Sequence, residues 1–151
     1  MSSQEITSNT GKQLFVNTDT SQVFIGGNHT RQDAYINNSG YAPITLLAGT
    51  VMGRIAQTGV VAPFNAYASD GTQYVVGLLG DDLILAAGSS STVSLVVQGR
   101  VNQDKVAFFP TSSGITLESV VSGRRVKDKI MAETTGILLV KTTEMSGYDN
   151  S

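Results

Sequence analysis

Cysteine is absent from these 151 residues, and so is tryptophan. Without a thiol there is no disulfide framework, no zinc–thiolate site and no cysteine nucleophile. One histidine, His29, is present, and the nearest carboxylate after it in sequence is Asp33. That is too little for a histidine-built metal centre. Charge is scarce as well. Lys and Arg number 10, Asp and Glu 12, and the four together make up 15% of the chain, against about 25% in ordinary soluble domains. The net charge of −2 lacks the basic footprint that nucleic-acid phosphates demand. No apolar run approaches the roughly 20 residues that cross a bilayer as a helix. The opening MSSQEITSNT has neither a positive stretch nor an apolar one, so the sequence predicts a soluble chain without a conventional export signal. None of the phosphate-loop, dinucleotide, nucleophile-elbow or zinc-protease motifs occurs, and no enzyme is expected.

With so few charges, Ser, Thr, Asn and Gln must cover much of the surface. Interface cores are depleted in charge, so this composition favours large areas facing other protein. A hydroxyl-rich β domain with no partner would have the same composition.

What the chain does have is a glycine-punctuated β pattern between Leu47 and Val101. Thr50 to Ala56 alternates, with Val51 and Ile55 on one side and Thr50, Met52 and Arg54 on the other. Gly53 inside that strand predicts a bulge or a close backbone approach. Thr58-Gly59 and Ser69-Asp70-Gly71 are turn signals. Tyr74 to Leu79 is apolar on both faces, the mark of a strand buried on two sides. Asp81-Asp82 ends it, Leu83 to Leu85 resumes, and Gly88 to Ser91 turns the chain. Thr92 to Asn102 then puts Val93, Leu95, Val97 and Val101 on one face. Ser94, Gln98, Arg100 and Asn102 fall on the other, which Val96 alone interrupts.

The two flanks differ from this centre. Residues 1–40 are polar and carry short apolar islands at Leu14-Phe15-Val16, Val23-Phe24-Ile25 and Tyr35-Ile36. Islands of this length do not build a core alone. They suit strand addition to another chain or packing as outer strands of their own domain, and composition leaves both open. The first ten residues have no island and are expected to be disordered when free. The division predicted is an arm over 1–40 and a β-rich domain over 41–151. After Phe108-Phe109-Pro110, Leu117, Val120 and Val121 suggest a helical turn. Val126, Ile130 and Met131 mark one face of a short helix. Ser122 would cap it, Arg124/Asp128 and Lys129/Glu133 would pair at i,i+4, and Gly136 would close it before a buried strand at Ile137 to Val140.

The succession LLAGTVMGRIAQTG, SDGTQYVVGLLGDDL, STVSLVVQGRV and the ending VVSGRRVKDKIMAETTGILLVKTTE resembles the lambda-type head decoration proteins of tailed bacteriophages, over about Tyr41 to Glu144. The resemblance implies a mainly β fold with one or two short helices, a compact barrel or tulip-like domain with an extended amino-terminal arm. It also implies a non-enzymatic virion protein without cofactor, made in the host bacterial cytoplasm. Such a protein binds the outside of the expanded capsid as a homotrimer near three-fold positions, with the major capsid protein as partner. Leu14, Phe15, Val16, Val23, Phe24 and Ile25 are the capsid-contact candidates. A tail or baseplate β module, or a small surface- or carbohydrate-binding domain, is the alternative, although the latter wants aromatic platforms in a chain that is only 7% aromatic.

The remaining polar residues read as structural. His29, in a Gly-Gly-Asn-His-Thr stretch, is expected to be a solvated loop residue. Asp81 and Asp82 point to opposite faces of an extended chain and do not converge. Arg124, Arg125, Lys127 and Lys129, interrupted by Asp128 and Glu133, form a solvated helix face with no interleaved aromatic.

Overall fold

Strand β7, Ser90–Asn102, is the spine of the molecule. In the computed structural model, which describes residues 23–110, 114–134 and 136–141, it pairs along one edge with β1, Phe24–Asn37, antiparallel from Phe24↔Val101 to Asn37↔Ser90. Its other edge takes β5, Gly77–Leu79, through Leu78↔Val96 and Leu79↔Leu95. Farther along, that edge takes β10, Gly136–Val140, in parallel. Strand β3, Val51–Arg54, joins β5 to β4, Val61–Pro63, and β4 returns to β1 through Ile36↔Val61. The circuit β1–β4–β3–β5–β7–β1 is therefore closed, a small barrel whose neighbours satisfy one another's ladders. Two hairpins lie outside it: β2, Ile44–Leu46, with β6, Leu83–Leu85, and β8, Val120–Val121, with β9, Arg124–Arg125. The helix α1, Val126–Glu133, precedes β10. The fold is mainly β with one short helix and a barrel-like sheet, as the family resemblance implied.

Each of the five barrel strands sends at least one residue to a common interior: Ile36, Val61, Met52, Leu79, and Val93 with Leu95, capped by Leu46 and Leu85 of the β2–β6 hairpin. A second core forms on the opposite face, where Val51, Leu78 and Val101 meet Phe64, Val75 and the carboxyl-terminal Val121, Val126, Ile130 and Ile137. Successive side chains on a strand point to opposite faces, so Val51 and Met52 divide between the two cores, as do Leu78 and Leu79. All four are almost fully buried. Burial of such a side chain contributes about 1.5–3 kcal/mol relative to exposure.

Several expectations change at this point. Met52 and Val96 are fully buried where the alternation placed them on polar faces. Met52 faces the barrel interior, and the second core covers its neighbour Val51 on the other face, so this strand has no polar side. Asn102 is buried too; its side chain accepts a hydrogen bond from Asp104 N at 3.1 Å and caps a short 3-10 turn over Gln103–Lys105. Leu117 to Val121 makes no helical turn: Val120 and Val121 form a strand, with Ser122 (φ 54°) in the turn to β9. Ser122 thus does not cap α1, whose first flanking residue, Arg125, offers no side-chain cap. Met131 lies at the exposed edge of the helix, the cap at its far end is Thr134, and Gly136 opens β10. Lys129 and Glu133 do pair, at 2.9 Å. Arg125 and Lys127 reach back to Glu118, at 3.4 and 3.0 Å. Lys129 itself is buried, so only part of the basic run is a solvated face.

Strand β1 lies within the polar stretch set apart as an arm, yet it is a full member of the barrel. A half-buried strand needs few apolar residues: Ala34 and Ile36 face the barrel interior and Ile25 is buried, while Arg31, Gln32, Asp33 and Tyr35 are exposed. Gly53 marks a close approach. A β-carbon there would stand 2.6 Å from Thr72 Cα.

Candidate interaction surfaces

Strand direction decides where the chain meets its surroundings. β1 is antiparallel to β7 and β10 is parallel to it, so β1 begins and β10 ends at the same end of the sheet. At that end Asn102 N donates to Val23 O at 2.8 Å, and Val140 pairs with Asn102 from the other side. Val23 and Val140 are thus two strand spacings apart, roughly 10 Å. Of the capsid-contact candidates, Leu14, Phe15 and Val16 lie outside the described residues. Val23 and Phe24 pack half-buried against the second core, and Ile25 is buried opposite Arg100.

Beyond Ile25 the β1–β7 ladder opens. Between Ile25↔Arg100 and Thr30↔Gln98, four β1 residues face one β7 residue, Gly99. His29 fills the space: a β-carbon on Gly99 would come within 2.8 Å of its Cδ2, and Gly99 has φ 138°, a conformation that suits glycine. The imidazole packs edge-on against Phe24, with ring centroids 5.4 Å apart. Its Nε2 is buried without a hydrogen-bond partner. The histidine is therefore a packing element of the bulge and not the solvated loop residue expected from its neighbours.

The acidic pair divides between two jobs. Asp81 makes an exposed ion pair with Arg31 at 3.3 Å, and Asp82 accepts from Ala48 N at 2.8 Å. Both fasten the end of β5 to neighbouring segments. No group of three potential metal ligands forms among the described residues.

An apolar groove of about 420 Å³ runs between Phe64 and the Phe108–Pro110 segment, with Pro63 and Ile115 on its walls. The Phe64 and Phe108 rings lie 6.5 Å apart at its base. In the sequence Phe108-Phe109-Pro110 marks the end of the central β pattern. Three successive apolar residues after a completed strand were the available signal that this segment has its own packing role.

No curated protein matches the chain at a significant level. The family model described as bacteriophage lambda head decoration protein D matches residues 17–117, from before β1 through all seven barrel and β2–β6 strands to the start of the carboxyl-terminal third. The chain belongs to that family of structural, non-enzymatic proteins of the phage head, and is a component of the virion capsid.

Proposed function

We propose that the chain is a head decoration trimer, which seats on the outside of the expanded capsid near three-fold positions and reinforces it against the packaged DNA. The observation that carries this reading is the match to the head decoration family over residues 17–117. Val23, bonded to Asn102, lies at the end of the sheet where β10 also ends, and in this reading the capsid takes up the residues that precede it. In this reading Leu14, Phe15 and Val16 add to a sheet of the major capsid protein, where main-chain hydrogen bonds supply affinity. Val23, Phe24 and Ile25 anchor the arm to the barrel. Three protomers bound together raise the effective concentration of each arm, so modest single contacts sum to firm attachment. Preference for the expanded lattice stabilises that lattice by mass action. Synthesis takes place in the host bacterial cytoplasm, before assembly.

Pelleting with undecorated expanded heads tests the proposal. Removal of residues 1–20 leaves Val23 and its bond to Asn102 in place. The truncated chain is expected to melt like the full one and to sediment with heads at least about tenfold more weakly, the loss of one apolar side chain per arm being enough for that. Unchanged sedimentation would remove the arm from the mechanism. Cryo-EM density on the tail, or isolated monomers on the head, would defeat the trimeric seat.

A further inference from the structure

On the side of the second core, Tyr67 and Tyr74 line one cavity of about 510 Å³, with Gln73, Ser122 and Lys129 as its polar members and Val121 on its wall. Both rings stand more than half exposed, Tyr67 at 78% and Tyr74 at 56%. Exposed aromatic platforms are what the composition argued against. The fold supplies one by gathering two of the five tyrosines at one place.

Hydrogen bonds fix the backbone that carries both rings. Tyr67 N donates to Asn65 Oδ1 at 3.1 Å and Ala68 N to Asn65 O at 3.2 Å, which sets the turn that presents the ring. Ala66 and Ala68 flank Tyr67, so no longer side chain on either side covers it. Tyr74 N donates to Gly71 O at 3.2 Å. Gln73 Oε1 accepts from Gly71 N at 2.8 Å, which leaves its amide hydrogens to donate elsewhere. Lys129 Nζ lies 2.9 Å from Glu133 Oε2 and 5.6 Å from the Tyr74 ring centroid. Glu133 Oε1 in turn accepts from Val75 N at 2.8 Å, which ties the helix to the segment bearing Tyr74.

We infer that this cavity is a binding site for a neutral saccharide. Tyrosine combines an apolar ring with a wet hydroxyl, which matches the C–H face and hydroxyl rim of a sugar ring. Gln73, Ser122 and the remaining N–H groups of Lys129 supply hydrogen bonds to hydroxyls. Glu133 cancels the lysine charge, so the site has no net charge with which to select an anion. Its volume is that of a small-molecule site. The site is separate from the end of the sheet assigned to the capsid, and it stands or falls independently of that assignment.

The test is titration of the full chain with maltohexaose and chitohexaose to about 10 mM, a range that reaches weak millimolar binding. Tyrosine emission and amide NMR are the readouts. At least one sugar is expected to shift amides of residues 66–74, 121–122 and 129 and to saturate. Tyr67→Ala and Tyr74→Ala should each weaken binding about tenfold or more, the scale of a lost aromatic stacking contact. Tyr41→Ala, at a fully exposed tyrosine outside the cavity, should leave it unchanged. No shift with either sugar overturns the inference, as does preference for anionic polygalacturonate oligomers. Shifts in the same amides that follow protein concentration without sugar overturn it too, and would assign the surface to a second copy of the chain.

Discussion

The barrel and the carboxyl-terminal third of this protein are held by different logics. In the barrel, residues far apart in sequence pair along ladders: β1 meets β7 over a separation that runs from 53 residues at Asn37↔Ser90 to 77 at Phe24↔Val101. From 118 to 133 many partners are near, and long-range pairing enters with Glu133, bonded to Val75 N, and with β10 on β7. β8 and β9 form a hairpin, α1 follows without a break, and Glu118 reaches Lys127 and Arg125. The barrel makes its own interior. The carboxyl-terminal third has none and borrows the outer faces of β3, β5 and β7, through Val51, Leu78 and Val101. A small closed sheet is thus buried on both sides at its centre.

Adjacent residues of β5 give the sharpest way to break the comparison. Leu79→Ala empties the barrel interior and Leu78→Ala empties the borrowed core. Each is expected to cost about 2–5 kcal/mol, the range for a buried leucine whose cavity does not fully collapse. Denaturant unfolding measures the cost, and hydrogen exchange separates the two. Leu79→Ala should raise exchange throughout, whereas Leu78→Ala should first loosen α1 and β10. Uniform loosening in both variants would show that the two cores are one cooperative unit.

Gly53→Ala probes the seam between the barrel and its covering loops, with a smaller expected loss of about 1–3 kcal/mol, the usual cost of overpacking. The new β-carbon would meet the backbone of Thr72, 2.6 Å from its Cα and 2.7 Å from its carbonyl oxygen, and backbone cannot rotate away. A melting temperature equal to that of the parent would show that the loop over 65–72 yields freely.

The smallest effect expected is on pH dependence, and both regions take part. Hydrogen bonds from the Thr72 side chain and backbone hold the Asp70 carboxyl below its ordinary value. The hydrogen bond from Lys127, with the charges of Lys127 and Arg125, does the same for Glu118. A carboxyl depressed on folding contributes stability that is present above its unfolded value, about 4, and is lost as pH falls through its folded value. Melting temperature should therefore drop on acidification below about pH 4, and less steeply in Asp70→Asn. Both groups are solvent-exposed, so the change is expected to be slight. A parallel curve for Asp70→Asn would remove Asp70 from the account.

Strands with a strict period were legible from the chain alone. Thr92 to Leu95 alternates into the barrel, and the doubly apolar run ending at Leu79 is buried on both faces. The turn at Asp70-Gly71 forms with the local bonds its residues favour. Val126 and Ile130 reach the core at helical spacing, whereas Met131 and Ser122 do not take the places the period offered them. The hairpin turn at Ser122-Gly123, with positive φ at both residues, decides where α1 can start; the Ser-Gly pair was its sequence signal, outweighed by the helical spacing of the apolar residues around it. β1 was illegible for another reason. Its exposed face is so polar that only its long partner reveals it as a strand of the barrel.

Composition and order of residues determined that this chain is a β protein with no thiol. They also determined its family, because turn glycines and β-branched runs act locally and are carried by the chain itself. Which end of the sheet Val23 and Val140 share, why Met52 and Val96 are buried, and that Tyr67 and Tyr74 flank one cavity were decided only by the tertiary structure. These depend on closure of the barrel and on what covers its outer face, and both come from contacts between residues too far apart for any local pattern to record.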